Sequence, residues 1–166
     1  MNLRYAINDD IHQIVTIINH YNKHEISTFD SKEYQPHELQ DWFLQFDRNS
    51  PYKLVVASLD NEIVGYASSK VFRDRMVFSK TIETSIYVKS GFGGKGIGSR
   101  LYKFLFDELQ GQNLHRAVVG IALPNEASVK LHKTFNFKEI GIFNEYAFFK
   151  GNYISSLWME RELNTK

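Results

Sequence analysis

The chain has 166 residues, 43% of them hydrophobic, and twenty Lys and Arg stand against nineteen Asp and Glu for a formal charge of +1. That length and apolar content suit one domain over residues 1–166, able to bury a core without a disulfide or metal staple. The balance of charge supplies no global field for nucleic acid or an anionic membrane, so any anion must be held locally. There is no cysteine, which excludes disulfides, thiolate metal sites and a cysteine nucleophile and suits a cytosolic protein. Residues 1–10 lack the apolar stretch of a secretory signal, and no apolar run approaches the roughly 20 residues of a membrane span. The expectation is a cytoplasmic protein with no membrane partner.

In chain order, residues 3–7 read as a short strand, and Asp9 and Asp10 suit the start of a helix with Ile11, Ile14, Val15 and Ile18 on one face. Residues 22–35 are irregular, and Pro36 fits the first turn of a helix carrying Leu39, Trp42, Phe43 and Phe46. Residues 54–59 and 63–71 read as strands joined at Asp60-Asn61, which tolerate the positive φ of a tight hairpin. A further strand over residues 81–88 precedes a glycine-rich turn, after which Ile97, Leu101, Phe104, Leu105 and Leu109 share a helical face. Residues 117–123 read as a strand stopped by Pro124, residues 125–135 as a short helix, and residues 137–142, 146–149 and 156–160 as closing strands. No repeat or linker divides them. The fold class expected is α/β, with a mixed, mostly antiparallel central sheet flanked by helices.

The glycine-rich turn, Gly91-Phe92-Gly93-Gly94-Lys95-Gly96-Ile97-Gly98-Ser99, places five glycines in eight residues directly before a helix. Backbone N–H groups there approach an anion closely and the helix adds its positive end, so a phosphate-bearing cofactor is expected. Gly91, Gly93 and Gly96 match G-x-G-x-x-G, but residues 109–123 hold no Asp or Glu to bind a ribose, which argues against a dinucleotide site. Lys95 precedes Gly96, the reverse of the Gly-Lys order of a nucleotide-hydrolase phosphate loop. His20 and His24 lie one helical turn apart without a third ligand, so no metal is expected. The aromatics have no basic stripe interleaved with them, which argues against nucleic acid.

These residues resemble the GNAT superfamily of N-acetyltransferases, whose pyrophosphate loop reads Gln/Arg-x-x-Gly-x-Gly/Ala after a strand. Gly96 and Gly98 occupy the two small positions, and Gly93 replaces the usual Gln or Arg. The resemblance is closest to the phosphinothricin and methionine sulfoximine acetyltransferases and spans nearly the whole chain. It rests on Asn19-His20-Tyr21, Phe29, the segment from Glu83 to Val88, Gly96-Ile97-Gly98-Ser99-Arg100-Leu101-Tyr102, Leu123-Pro124-Asn125 with Ser128 and His132, and Gly151-Asn152-Tyr153. Phe149 and Ser155 depart from the branch, which commonly has lysine and aspartate there.

The resemblance implies acetyl-CoA as co-substrate, its pantetheine arm pairing with Ile86, Tyr87 and Val88 like an added strand. It implies a pyrophosphate on the N–H groups of Gly94, Lys95, Gly96, Ile97, Gly98 and Ser99, and a cofactor hydrogen bond from Asn125, which also suits a helix cap. Glu83 matches the carboxylate proposed to take the proton of an acceptor amine, directly or through water. Alternation places Glu83, Ser85 and Tyr87 on one strand face. His132 stands where many family members have a tyrosine near the sulfur, as an acid or as a packed helix histidine. Phe29, Arg73, Arg75, Glu83, Thr84 and Ser85 make the implied acceptor site, the guanidinium groups suiting an amino-acid carboxylate. The implied reaction is transfer of acetyl to the primary amine of a small amino-acid-like acceptor by a homodimer. The competing readings are a different amine (a polyamine, an aminoglycoside or a protein N-terminus) and a non-catalytic acyl-CoA sensor.

Overall fold

The apolar run Leu54-Val55-Val56-Ala57 has no polar face, which demands burial on both sides. In a computed structural model of the chain, which describes residues 1–25 and 27–163, that run is the heart of a seven-stranded sheet. Strand β1 (Asn2–Tyr5) pairs with β2 (Leu54–Leu59), which turns through Asp60 (φ 47°) and Asn61 (φ 66°) into β3 (Glu62–Val71). Strand β4 (Thr81–Val88) pairs antiparallel with β3 and parallel with β5 (Arg116–Ala122). The chain closes with β6 (Lys138–Phe149) and β7 (Asn152–Glu162), giving the order β1-β2-β3-β4-β5-β7-β6. The expected mixed, mostly antiparallel sheet is observed, with β4 and β5 its parallel pair.

Helices cover both faces because β2 alternates between them. Val55 and Ala57 pack toward α3 (Ile97–Glu108), whose Ile97, Leu101, Tyr102 and Leu105 are buried. Leu54 and Val56 pack toward α1 (Ile11–His24) through Ile14 and Ile17. The stripe Ile11, Val15 and Ile18 of α1 meets Leu39, Trp42 and Phe43. The last helix, α4 (Glu126–Thr134), follows β5.

Two segments differ from the sequence-based expectation. After Pro36 the chain forms a 3₁₀ turn, Pro36–Leu39, and a single α-helical turn, α2 (Gln40–Phe43), with Phe46 beyond it. So short a run leaves most terminal N–H and C=O groups outside the helical ladder, and tertiary contacts of Leu39, Trp42 and Phe43 hold it in place. The break expected between residues 142 and 146 is a bulge within one long strand β6. There the register with β7 shifts between Phe143 and Ala147, Glu145 has φ 49°, and its N–H donates to Ser155 Oγ at 2.9 Å.

Leu101 is fully buried where α3 crosses the sheet. Leu101→Ala is expected to lower unfolding free energy by about 2–5 kcal/mol, read as a reduced urea midpoint at unchanged m-value.

Candidate functional site

Parallel pairing of β4 with β5 covers Thr81–Arg116, Ile82–Ala117 and Glu83–Val118, and then stops. Beyond Glu83 the strands separate, while β4 keeps its ladder to β3 as far as Val88. The edge of β4 that faced β5 therefore opens onto a cleft of about 870 Å³, walled by Ile86, Tyr87 and Val88 on one side and Val119 to Ala122 on the other. An extended chain can take up the backbone groups of such an edge.

At one end the cleft meets the start of α3. Gly94 (φ 73°) and Gly96 (φ 74°) adopt left-handed conformations that a side chain would strain. The first α3 bond runs from Arg100 N–H to Gly96 O at 3.1 Å, so the N–H groups of Ile97, Gly98 and Ser99 lack helical acceptors and suit an anion. A Cβ on Gly98 would lie 3.2 Å from Leu131, which keeps this position narrow. Gly94, Gly96, Ile97, Gly98 and Ser99 line the cleft; the Lys95 side chain does not, its ammonium lying 4.8 Å from the Phe92 ring centre. Across the cleft, Asn125 Oδ1 accepts the Ser128 N–H at 3.0 Å and caps α4. Its amide NH₂ group is then the part left for a ligand.

His132 lies beneath this wall, 1% exposed. Its Nδ1 is 2.7 Å from Ser128 O and its Nε2 is 2.7 Å from Tyr102 Oη. A carbonyl only accepts, so the ring proton sits on Nδ1 and Nε2 accepts the tyrosine proton. Burial pushes the imidazole pKa down to about 4, opposed by the Ser128 bond. Tyr102 Oη also lies 3.3 Å from Thr84 Oγ1, and burial raises the phenol pKa.

The opposite face of β4 carries Glu83, Ser85 and Tyr87. Glu83 lies 3.4 Å from Lys70 Nζ, and the Ser85 and Ser68 hydroxyls are 2.7 Å apart. Tyr87 donates to Ser27 O at 3.2 Å, while Tyr21 donates to Val88 O at 2.8 Å and ties α1 to the open end of β4. Burial raises the pKa of Tyr21, Tyr66 and Tyr87. A cap over this chamber comes from the irregular segment, including Phe29, whose ring centre lies 5.9 Å from that of Tyr146.

The cleft thus brings together Glu83, Thr84, Ser85, Ile86, Tyr87, Val88, the loop glycines, Asn125, His132 and Phe29. It does not bring in Arg73 or Arg75, which are exposed on the β3–β4 connection. The Arg73 guanidinium lies 5.0 Å and 5.3 Å from the Phe72 and Phe78 ring centres. Sequence reasoning missed Trp42, Tyr66, Ser68 and Lys70 as wall residues. For Ser68 and Lys70 the signal was alternation along residues 63–71, which sets both on the face of Tyr66 once β3 is paired with β4. Among the described residues no cluster of three or more His, Cys, Asp or Glu is placed for a metal, and no helix is long and apolar enough to cross a membrane.

His132 carries a pH signature. The unfolded imidazole binds a proton near 6.5 and the folded one only near 4, so this contribution to stability is complete above pH 6.5 and is lost as pH falls toward 4. The separation from 6.5 to about 4 corresponds to roughly 3 kcal/mol. Urea midpoints measured from pH 7 to pH 4 are expected to fall by a corresponding amount, and His132→Gln is expected to remove that part of the decline.

Residues 14–137 match the Acetyltransferase (GNAT) family. The chain is 40% identical over 163 residues to a phosphinothricin N-acetyltransferase of Streptomyces coelicolor, covering 97% of this chain and 95% of that protein. It is 27% identical to an L-methionine sulfoximine/L-methionine sulfone acetyltransferase of Salmonella typhimurium, covering 99% and 95%. A crystal structure of a phosphinothricin acetyltransferase from Sinorhizobium meliloti, in complex with acetyl-CoA, superposes with a TM-score of 0.92 at 25% identity over 98% of this chain and 88% of that one. A strand pair that splits against a glycine-rich helix start is therefore accompanied by sequence similarity along almost the whole chain, and this protein belongs to the GNAT acetyltransferase family.

Proposed function

We propose that the protein transfers acetyl from acetyl-CoA to the primary amine of a small amino-acid-like acceptor. The observation that carries this reading is the split between β4 and β5, which opens a strand edge directly onto the α3 N-terminus. The pantetheine amides would pair with the edge at Ile86, Tyr87 and Val88, and the pyrophosphate would sit on the N–H groups of residues 94–99. The Asn125 amide NH₂ would donate to the arm. The fit is supported by the glycine positions, where the backbone is bare, and by the cleft volume of about 870 Å³.

The amine nitrogen attacks the acetyl carbonyl carbon, a C–N bond forms, the C–S bond breaks, and CoA leaves as a thiolate that takes up the proton the new amide nitrogen sheds. An aliphatic ammonium must first lose a proton, and Glu83 is the proposed acceptor of it, directly or through water. The developing oxyanion is assigned to a backbone N–H near Val88. Arg73 and Arg75 are proposed for the acceptor carboxylate; they lie outside the cleft wall, on the loop that leaves β3 just past Lys70, the partner of Glu83, and that loop would have to turn toward the cleft to bring them to it. The expected acid role of His132 is not supported by its surroundings, since Nδ1–H is committed to Ser128 and Nε2 carries no proton. We assign it instead to fixing Tyr102 and α4 behind the cofactor wall.

A homodimer is part of the proposal. Strand β6 is an outer strand with Ile140, Ile142, Phe143 and Phe148 all more than half exposed, an apolar surface of the kind that marks an interface. A cytoplasmic location, with access to acetyl-CoA, completes the reading.

Thiol release from acetyl-CoA is to be measured with phosphinothricin, methionine sulfoximine, methionine sulfone, common amino acids, spermidine and an aminoglycoside. Turnover confined to the first three is the expected result; turnover of another amine alone would discard the acceptor, and binding without turnover would leave a sensor. Glu83→Gln is expected to lower kcat about tenfold or more near neutral pH with acetyl-CoA affinity unchanged. Sedimentation is expected to give twice the chain mass, and Ile142→Lys with Phe148→Glu to return the protein toward the monomer.

A further inference from the structure

Among the described residues that line the cleft there is no arginine, and its two lysines stand on different elements, Lys130 on α4 and Lys70 near the end of β3. In the ladder between β3 and β4, Lys70 is set opposite Glu83, and Ser68 opposite Ser85. Alternation along the two strands puts these four side chains on one face, the floor of the chamber. The serine hydroxyls lie 2.7 Å apart, and Lys70 Nζ lies 3.4 Å from Glu83 Oε1.

The ion pair is held more loosely than the serine pair. Its 3.4 Å separation exceeds the roughly 2.7–2.9 Å of a charge-assisted hydrogen bond. Both side chains are reachable from solvent, Lys70 being 43% exposed and Glu83 27%. An ammonium carries three donors and a carboxylate only acceptors, so each group keeps bonding capacity for a ligand that enters the cleft. The other charged groups of the cleft stand on other elements: Lys130, Glu25 at the end of α1, and Asp30 in the cap. Asp30 is already engaged, accepting from Lys32 N–H at 2.9 Å and Tyr34 Oη at 2.6 Å.

Resting on the proposed reaction, the acceptor amine lies at Glu83 and arrives as an ammonium. In an α-amino acid the nitrogen and the carboxylate oxygens are about 3 Å apart, close to the 3.4 Å between Lys70 Nζ and Glu83 Oε1. We propose that Lys70 is a substrate-binding residue that takes the acceptor's α-carboxylate while Glu83 takes its ammonium. The zwitterion then lies across the pair with each charge against its opposite, and α-amino acids are preferred to simple amines. With the carboxylate in place Lys70 has a partner other than Glu83, which leaves Glu83 to accept the amine proton. Arg73 and Arg75 would reach that carboxylate only after their loop turned inward, whereas Lys70 already stands in the wall beside Glu83.

The test compares phosphinothricin and methionine sulfoximine, each with the primary amine that carries the same side arm and a hydrogen in place of the α-carboxylate. In the wild type, kcat/KM for the amino acid is expected to exceed that for its amine by about tenfold or more. Lys70→Met, which keeps an apolar stem and removes the charge, is expected to raise KM for the amino acid and bring the ratio within about threefold. Lys70→Arg keeps the charge and is expected to retain most of the preference. A wild-type ratio near one, a ratio unchanged in Lys70→Met, or a loss shared equally by both acceptors would overturn the assignment and leave the acetyltransferase reading intact. So would a ratio that collapses in Arg73→Ala with Arg75→Ala yet survives in Lys70→Met, since the carboxylate would then belong to the loop. Binding of acetyl-CoA with no turnover of any amino acid would instead overturn the acceptor reading on which the assignment rests.

Discussion

The site depends on where the parallel pairing of β4 and β5 ends. A fully zipped pair would leave no exposed backbone and no cleft; pairing that stops at Glu83–Val118 leaves the rest of β4 laddered to β3 on one side and open on the other. Both edges of the gap are backed by packed layers. Tyr102 and His132 brace α3 against α4 through a buried 2.7 Å bond, and Tyr21 secures the far end of β4 through Val88 O. The opening is thus held on both sides by packed and hydrogen-bonded elements, an arrangement suited to binding an extended ligand.

The two faces of β4 divide the labour. Ile86 and Val88 join the core beneath α3, and Thr84 approaches Tyr102, so this face shapes the wall toward α4. Glu83, Ser85 and Tyr87 face the chamber beneath α1 and the cap. The period of two along one strand therefore separates groups assigned to the thioester from groups assigned to the amine. Burial lowers the pKa of His132 and raises those of Tyr66 and Tyr87, while Glu83 and Lys70 form an ion pair on the chamber side.

Much of this was legible from local pattern. The alternation of Glu83, Ser85 and Tyr87, the hairpin at Asp60-Asn61 and the helix opening at Gly96 rest on neighbours in sequence, and each took the expected form. Elements lacking a strong local period were read less well. The gap expected between the strands ending at residue 142 and starting at residue 146 is a bulge, where Glu145 has positive φ as a turn residue would, and the distinction lies in Ser155, ten residues away. The helix expected after Pro36 shrank to a turn because the apolar spacing of Leu39, Trp42 and Phe43 reports contact with α1 and says little about the length of regular backbone.

By itself the sequence determined the layered class, the glycine-rich turn that opens α3 and the family resemblance, because glycine placement and apolar periodicity act over a few residues. Only the tertiary structure decided which side chains meet. Ser68 faces Ser85 and Lys70 faces Glu83 through strand register, and the His132 tautomer is set by Ser128 and Tyr102. Arg73 and Arg75 carry the right chemistry in sequence, yet their connection holds them outside the cleft wall. Position along the chain sets residue type and local conformation; hydrogen-bond partners and burial arise from segments brought together across the fold, and those are what determine protonation and reach.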